Sequence, residues 1–255
     1  MKALGQVLPP LGLVLLILGG WEAACTLLRV PTYLLPTPSA IGAALATDLP
    51  LLLQAAITTL AMALQALLVA ALVAAPLALL GALSPLIQRA TGPLAAAVQV
   101  TPVIAIAPLF VIWAGLDHPE RAITALGAIV AFFPLFSGLT TGLRAADPDL
   151  QRLFDLYGAT RPQRLMRLFI PSAVPYAMEG LKVAGGLSVI GVVVAEFVAG
   201  SGGSQGLAWR ILEAGHQLKT AQMFAALVVL GVLGAGLNGV LTLAERALVK
   251  TWRGR

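Results

Sequence analysis

Long apolar runs alternate along this chain with short segments that hold most of its charge. A helix crosses the hydrocarbon core of a bilayer with about 20 mostly apolar residues. On that measure the pattern predicts six spans, over 7–28, 56–83, 93–116, 122–143, 174–199 and 221–243. The polar segments between them differ. Residues 30–50, "VPTYLLPTPSAIGAALATDLP", read as a long proline-rich loop, and 84–90 and 116–121 as tight turns. Residues 200–220 begin glycine-rich and turn amphipathic.

The segment 145–171 departs from this alternation. Asp147 before Pro148 predicts a helix N-cap with proline at the first helical position. Leu150, Leu153, Phe154 and Tyr157 then fall at i, i+3, i+4, i+7, one apolar face of a helix of about ten residues. Gly158 suits the left-handed position past its end. Thr160 and Gln163 have capping-box spacing and open a second short helix. Leu165, Leu168 and Phe169 lie on one side of it and Arg161, Arg164 and Arg167 on the other, with Pro171 as its stop. Two helices this short cannot cross a bilayer. They form a bent, amphipathic piece that either lies on anionic lipid or docks a soluble partner, and these residue types allow both.

Composition supports the membrane reading. Of 255 residues, 59% are hydrophobic and 11% charged, with mean hydropathy +0.93; soluble domains carry about 25% charge. The net charge of +5 calls for no nucleic-acid partner, because positive residues collect on the cytoplasmic side of membrane proteins. With six spans and an inner N-terminus, Lys2, Arg89, Arg144, Arg152, Arg161, Arg164, Arg167, Arg246, Lys250, Arg253 and Arg255 fall inside. Arg29, Arg121, Arg210 and Lys219 fall outside. Both ends are therefore expected in the cytoplasm. The lone Cys25 cannot form an internal disulfide. The run ending "WEAAC" imitates a lipoprotein signal, but Glu22 fits such a site poorly, and a first transmembrane helix is expected instead.

Polar residues inside spans are candidates for a path or gate. Glu196 is expensive in lipid and so reads as functional; it would repel an anion, which points to holding a helix or gate. Gln99, Thr101, Ser188 and Asn238 are candidate path residues, and Thr58, Thr59 and Gln65 are similar positions. Each can instead bond between helices, at about 0.6 kcal/mol on average. Glu179 and Lys182 have the spacing of an ordinary helix pair. Gly138 and Gly142 form a Gly-x-x-x-Gly that favours close helix contact, and Pro102 and Pro108 can break the third span. "GGSQG", Gly202 to Gly206, matches Gly-x-Ser-x-Gly, but that motif needs a strand-turn-helix, so no catalytic residue is assigned. His118 and His216 lack partners at ligand spacing, so no metal site is expected.

The stretch "GATRPQRLMRLFIP", with nine residues between Gly158 and Leu168-Phe169-Ile170-Pro171, resembles the cytoplasmic loop of ABC importer permeases. That loop reads Glu-Ala-Ala, three residues, Gly, nine residues, Ile, any residue, Leu-Pro. "LLPTPSAI", "TPVIAIAPLFVIWAGL" and "PYAMEGLKVAGGLSVIGVVVAEFVAG" look like permeases of nitrate, sulfonate and taurine importers. Where the family has Glu-Ala-Ala, this chain has Arg152, Leu153 and Phe154; Asp149 or Asp155 is left to supply the acidic contact. The resemblance implies an all-α type I importer transmembrane domain. Residues 1–50 would be a first helix and outer loop, 51–250 the transport domain with its coupling segment at 145–171, and 251–255 a tail. It implies a coupling helix that touches an ATPase through Arg152, Leu153, Phe154, Asp155, Gly158, Ala159, Thr160, Arg161, Arg164 and Pro171. It further implies two ATPase subunits, a second copy of the permease and a periplasmic or lipid-anchored solute-binding protein, in a bacterial inner membrane. The solute would be a small anion such as a sulfonate, taurine or nitrate, or else a vitamin precursor. No lysine follows a glycine in this chain, so it has no Gly-x-x-x-x-Gly-Lys-Ser/Thr loop; ATP and Mg would be used by the partner. The rival classes are a membrane-embedded hydrolase and a gradient-driven transporter.

Overall fold

A computed structural model describes residues 2–115, 118–199 and 205–253. Leu116, Asp117 and Gly202–Ser204 of the serine motif lie outside the described residues, as does Arg255. Among the described residues there are helices and no strand: α1 (Lys2–Leu27), α2 (Pro38–Leu83), α3 (Pro85–Val100), α4 (Val103–Ala114), α5 (Pro119–Arg144), α6 (Pro148–Leu156), α7 (Arg161–Arg164), a π turn (Leu165–Phe169), α8 (Ile170–Ala199), α9 (Leu207–His216) and α10 (Thr220–Arg253). Pro38–Leu83, Pro119–Arg144, Arg161–Ala199 and Thr220–Val249 are each long and apolar enough to cross a membrane. The pair α3 and α4 makes a fifth if it counts as one bent span. Gly12–Leu27 is apolar but shorter.

Three expectations are corrected, and the break that Pro102 allows in the third span is present. Residues 38–50 are not loop: Pro38 opens α2, and Thr37 Oγ1 caps it by accepting from the Ala40 N–H at 3.2 Å, after which an alanine-rich run favours helix. The 84–90 turn shrinks to Ser84, because Pro85 starts α3 at its first position. The third span is broken by 98° between Val100 and Val103. Pro102 supplies no N–H, and Thr101 before it sits extended at φ −69°, ψ 123°; Pro108 stays inside α4. Pro171 does not stop a helix, because the chain runs without interruption from α7 through the π turn into α8. The Ile170 N–H bonds to Leu165 O, an i→i−5 register. A ladder slipped in this way can pass a proline that cannot donate.

The chain divides into two compact units, Met1–Ile57 with Gln205–Gly231, and Thr58–Ser204 with Val232–Arg255. In the first, Glu22 ties α1 to the start of α2. Its carboxylate accepts from the Ser39 N–H at 2.9 Å and from the Ser39 hydroxyl at 2.7 Å, which satisfies a donor at the helix start that has no partner within the helix. Thr220 Oγ1 donates to Thr32 O at 2.6 Å, and Trp21 and Phe224 pack with ring centroids 5.8 Å apart. Cys25 is buried.

The second unit is built on α5 and α8, antiparallel and in backbone contact. A Cβ placed on Gly138 would stand 2.7 Å from Tyr176 O, one on Gly142 2.7 Å from Ala173 Cα, and one on Gly180 2.7 Å from Pro134 O. The Gly138–Gly142 motif is thus one side of the seam, and Gly180 and Gly191 help form the other. Large apolar side chains point outward along the helices, among them Leu72, Ile104, Ile112 and Val240, an arrangement that lipid solvates and water does not.

Candidate functional site

Two features of the second unit carry chemistry: the hairpin at 145–171 and a crevice beside α5.

The hairpin forms as its residues dictate. Asp147 Oδ1 accepts from the Asp149 N–H at 2.7 Å, with Pro148 at the first helical position. At the other end of α6, Gly158 has φ +64°. Its N–H bonds Asp155 O at 3.0 Å, and the Ala159 N–H bonds Phe154 O at 3.0 Å, the paired bonds of a Schellman ending. The capping box opens α7, with Gln163 Oε1 accepting from the Thr160 N–H at 2.8 Å. Arg164 joins the two arms. Its guanidinium pairs with Asp155 and donates from Nε to Ala159 O at 3.2 Å. Sequence reasoning set all three arginines outward; Arg164 is instead half-buried as an internal brace, while Arg161 and Arg167 are exposed. Arg152 pairs with Asp149 at 3.0 Å on the surface.

The hairpin has an apolar outer face. Leu168 is buried toward the body, but Leu153, Leu156, Tyr157 and Met166 are exposed, Leu156 and Tyr157 by more than 80%. The hairpin is thus a capped, braced turn that shows leucine, tyrosine and methionine between arginines.

The candidate path residues differ in exposure. Gln99 and Asn238 are exposed. Thr101 sits at the α3–α4 break with its hydroxyl on Ala97 O at 2.8 Å. Ser188 and Glu196 are both fully buried in α8, and Ser188 donates to Gly185 O at 2.8 Å. Lys182 does more than pair along its own helix: it bridges Glu179 at 2.7 Å and Glu245 of α10 at 2.8 Å. Glu245 lies 63 residues away in sequence, so spacing alone could not reveal it.

The polar residues that do share a space were passed over. Beside α5 lies a crevice of about 260 Å³ that α2, α3 and α5 line, with Gln88, Thr91, Ser137, Thr140, Thr141 and Arg144 as its polar groups. A second cavity of about 280 Å³ shares Gly81, Gln88 and Arg144 with it and reaches Gln151 and Phe169 at the hairpin. The signal was present in the sequence: residues 133, 136, 137, 140, 141 and 144 form one stripe at i+3/i+4 spacing.

Apolar helices around a polar-lined crevice, with an exposed hairpin hung between two of them, define a multi-pass membrane protein of the transport class. Residues 74–254 match the family model described as binding-protein-dependent transport system inner membrane component. The chain is 33% identical to the formylaminopyrimidine transport permease protein of Halalkalibacterium halodurans, over 92% of each chain. It is 32% identical to the riboflavin transport system permease protein of Chloroflexus aurantiacus, over 95% of this chain and 90% of that one. It is 26% identical to the taurine transport system permease protein of Escherichia coli, over 98% and 91%. A crystal structure of an amino acid ABC transporter with histidines shares the fold, with a TM-score of 0.63 and 18% identity, covering 79% of this chain and 96% of that one. The chain belongs to this family, the inner-membrane permease components of ABC importers.

Proposed function

We propose that the chain is the membrane-spanning subunit of an ATP-driven importer for a small solute. It works as a pair of copies, with two ATPase subunits on the cytoplasmic side and a solute-binding protein on the other. Six spans with both termini inside, in a bacterial inner membrane, complete the arrangement, with 51–250 as the transport domain. ATP and Mg belong to the ATPase, since this chain has no phosphate-cradling loop. The observation that carries the reading is the hairpin: a left-handed glycine, two caps and an Arg164 brace hold apolar side chains out of the membrane body. As a coupling helix it would seat in the ATPase and pass the closure of the two ATPase subunits to α5 and α8. The solute class is a small anion such as a sulfonate, taurine or nitrate. A second reading, a vitamin precursor or similar heterocycle, is favoured by the relatives at 33% and 32% identity, named for formylaminopyrimidine and riboflavin.

The test is Gly158→Val. Nothing lies within 4 Å of a Cβ at Gly158, so the effect is backbone strain without a clash, about 1–2 kcal/mol for an ordinary residue and more for a β-branched one. The variant should reach the membrane normally, lose co-purification with its ATPase and stop transporting. Gly158→Asn, which tolerates positive φ, should keep both. Retention of the ATPase and of full transport by Gly158→Val would remove the coupling-helix assignment.

A further inference from the structure

The crevice beside α5 has a graded lining. Phe133 and Phe136 stand at one end; one turn on come Ser137, Thr140 and Thr141; one turn further comes Arg144. At 1.5 Å per residue the stripe from Phe133 to Arg144 is about 16 Å long. Side chains on a helix lean toward its N-terminus, so the Arg144 guanidinium leans back toward the hydroxyls.

Thr140 is out of pattern. Thr26, Thr47, Thr91, Thr101 and Thr242 each donate their hydroxyl to the carbonyl four residues earlier. The Thr140 hydroxyl is buried and makes no hydrogen bond, and its residue lines the crevice. A buried hydroxyl without a partner costs about 1–3 kcal/mol; the hydroxyl is turned away from the crevice its residue lines, and a χ1 rotation that exchanges it with the methyl group would bring it to a ligand oxygen there. Arg144 makes no ion pair among the described residues, and no carboxylate lines either cavity. The formal charge of the lining therefore favours an anion, with no carboxylate among the described lining residues to hold a cation. A cavity of 150 Å³ can hold benzene, so about 260 Å³ holds one ring and a head group, below the drug-sized range.

We infer that this crevice is a binding site for a single-ring organic anion, with the ring against Phe133 and Phe136 and the anionic oxygens on Thr140 and Arg144. It rests on the importer reading for the occupant being a transported solute, and it adds where that solute sits. Arg144 also complements the C-terminal end of the α5 dipole, and that role alone would give no ligand selectivity.

The experiment uses the full chain in phosphatidylcholine nanodiscs with 4-fluorobenzenesulfonate as probe, followed by fluorine NMR. Saturable binding is expected, with 4-fluorobenzylammonium at least tenfold weaker. Arg144→Gln should weaken the sulfonate tenfold or more, Arg144→Lys less, and Thr140→Val several-fold. Arg89→Gln, a nearby exposed arginine outside the lining, should change nothing. Each variant is first shown to be folded by circular dichroism. Three results overturn the inference: no saturable binding, ammonium bound as tightly as sulfonate, or wild-type binding by Arg144→Gln. A tenfold loss on replacing phosphatidylcholine with phosphatidylglycerol at about 1 M salt, where the surface charge is screened, also overturns it, because the crevice then belongs to lipid. The importer reading fails separately, by loss of its own test on Gly158, and the two outcomes do not mimic each other.

Discussion

Alanine at Gly142 and at Gly180 tests whether α5 and α8 are held together by backbone contact. Each substitution puts a Cβ 2.7 Å from backbone, Ala173 Cα in the first case and Pro134 O in the second. Ordinary contact begins near 3.4 Å, so the helices must part by about 0.7 Å. Neither obstacle is a side chain that can rotate away. A gap of about 0.5–1 Å forfeits a quarter to a half of each atom pair's dispersion, and that loss extends along the seam. Overpacking of this kind costs about 1–3 kcal/mol. Alanine recovers about 1 kcal/mol as the better helix former. Each variant should therefore lose about 0–2 kcal/mol. Gly186→Ala on the same helix meets nothing within 4 Å and should gain about 0.5–1 kcal/mol.

The double variant discriminates further. One parting of the helices relieves both clashes, so the second alanine should cost less than the first, with a coupling of at least about 0.5 kcal/mol. Unfolding of the three variants and the double variant in mixed micelles with rising dodecyl sulfate gives all four values. If Gly142→Ala and Gly180→Ala stabilise as Gly186→Ala does, the seam is not tight. If the double loss equals the sum within about 0.3 kcal/mol, the two clashes are local and the helices do not move as bodies.

Glu22→Ala should cost about 0.5–2 kcal/mol, as loss of a helix cap does, because the Ser39 N–H and hydroxyl then lose the carboxylate they share; thermal unfolding measures it, and an unchanged midpoint would mean that water caps α2 as well. Lys182→Met leaves Glu179 and Glu245 facing each other without the shared cation. Amide exchange near Glu245 should quicken, and Lys182→Met with Glu245→Leu should slow it again; no change in the single variant would show that α10 is held elsewhere. Reporter fusions after Arg89, Arg161 and Arg255 should report the cytoplasm and those after Asp117 and Gly203 the outside, and a cytoplasmic signal at Gly203 would remove the six-span arrangement.

What the sequence made legible was local. The caps at Asp147 and Thr160 and the turn at Gly158 follow from backbone chemistry within five residues, and the structure has all three. The apolar runs gave the helices, and Gly138 with Gly142 marked one face of the seam. What was misread depended on what lies next in the chain or across from it. Pro171 looks like a stop until the π register shows how the ladder passes it. Residues 38–50 look like loop because their prolines are counted without the Thr37 cap that turns Pro38 into a start. Arg164 looks like a wholly outward charge until its pair with Asp155 is seen. The stripe that ends at Arg144 was missed because Ser137, Thr140 and Thr141 were not weighed together with an arginine that lies just past the predicted span end at 143.

The hairpin and the seam belong to one mechanical argument. Three residues, Ala145 to Asp147, separate the end of α5 from α6, and on the other side α7 runs into α8 without a break. A push on the hairpin therefore enters both helices. Because α5 and α8 meet backbone to backbone at Gly138, Gly142 and Gly180, neither can yield by shifting a side chain, and the pair responds as one body. Glu196, fully buried far along α8, lies on that body. The compliant points are those where the helical ladder is interrupted: the π turn at Leu165–Phe169, where hydrogen bonds are already out of register, and the 98° break before Val103. On the importer reading the first lies where the load enters and the second beside the crevice wall that α3 supplies. Rigid-body motion of α5 and α8 past a bent α3–α4 pair would then change the width of the crevice without unfolding any helix.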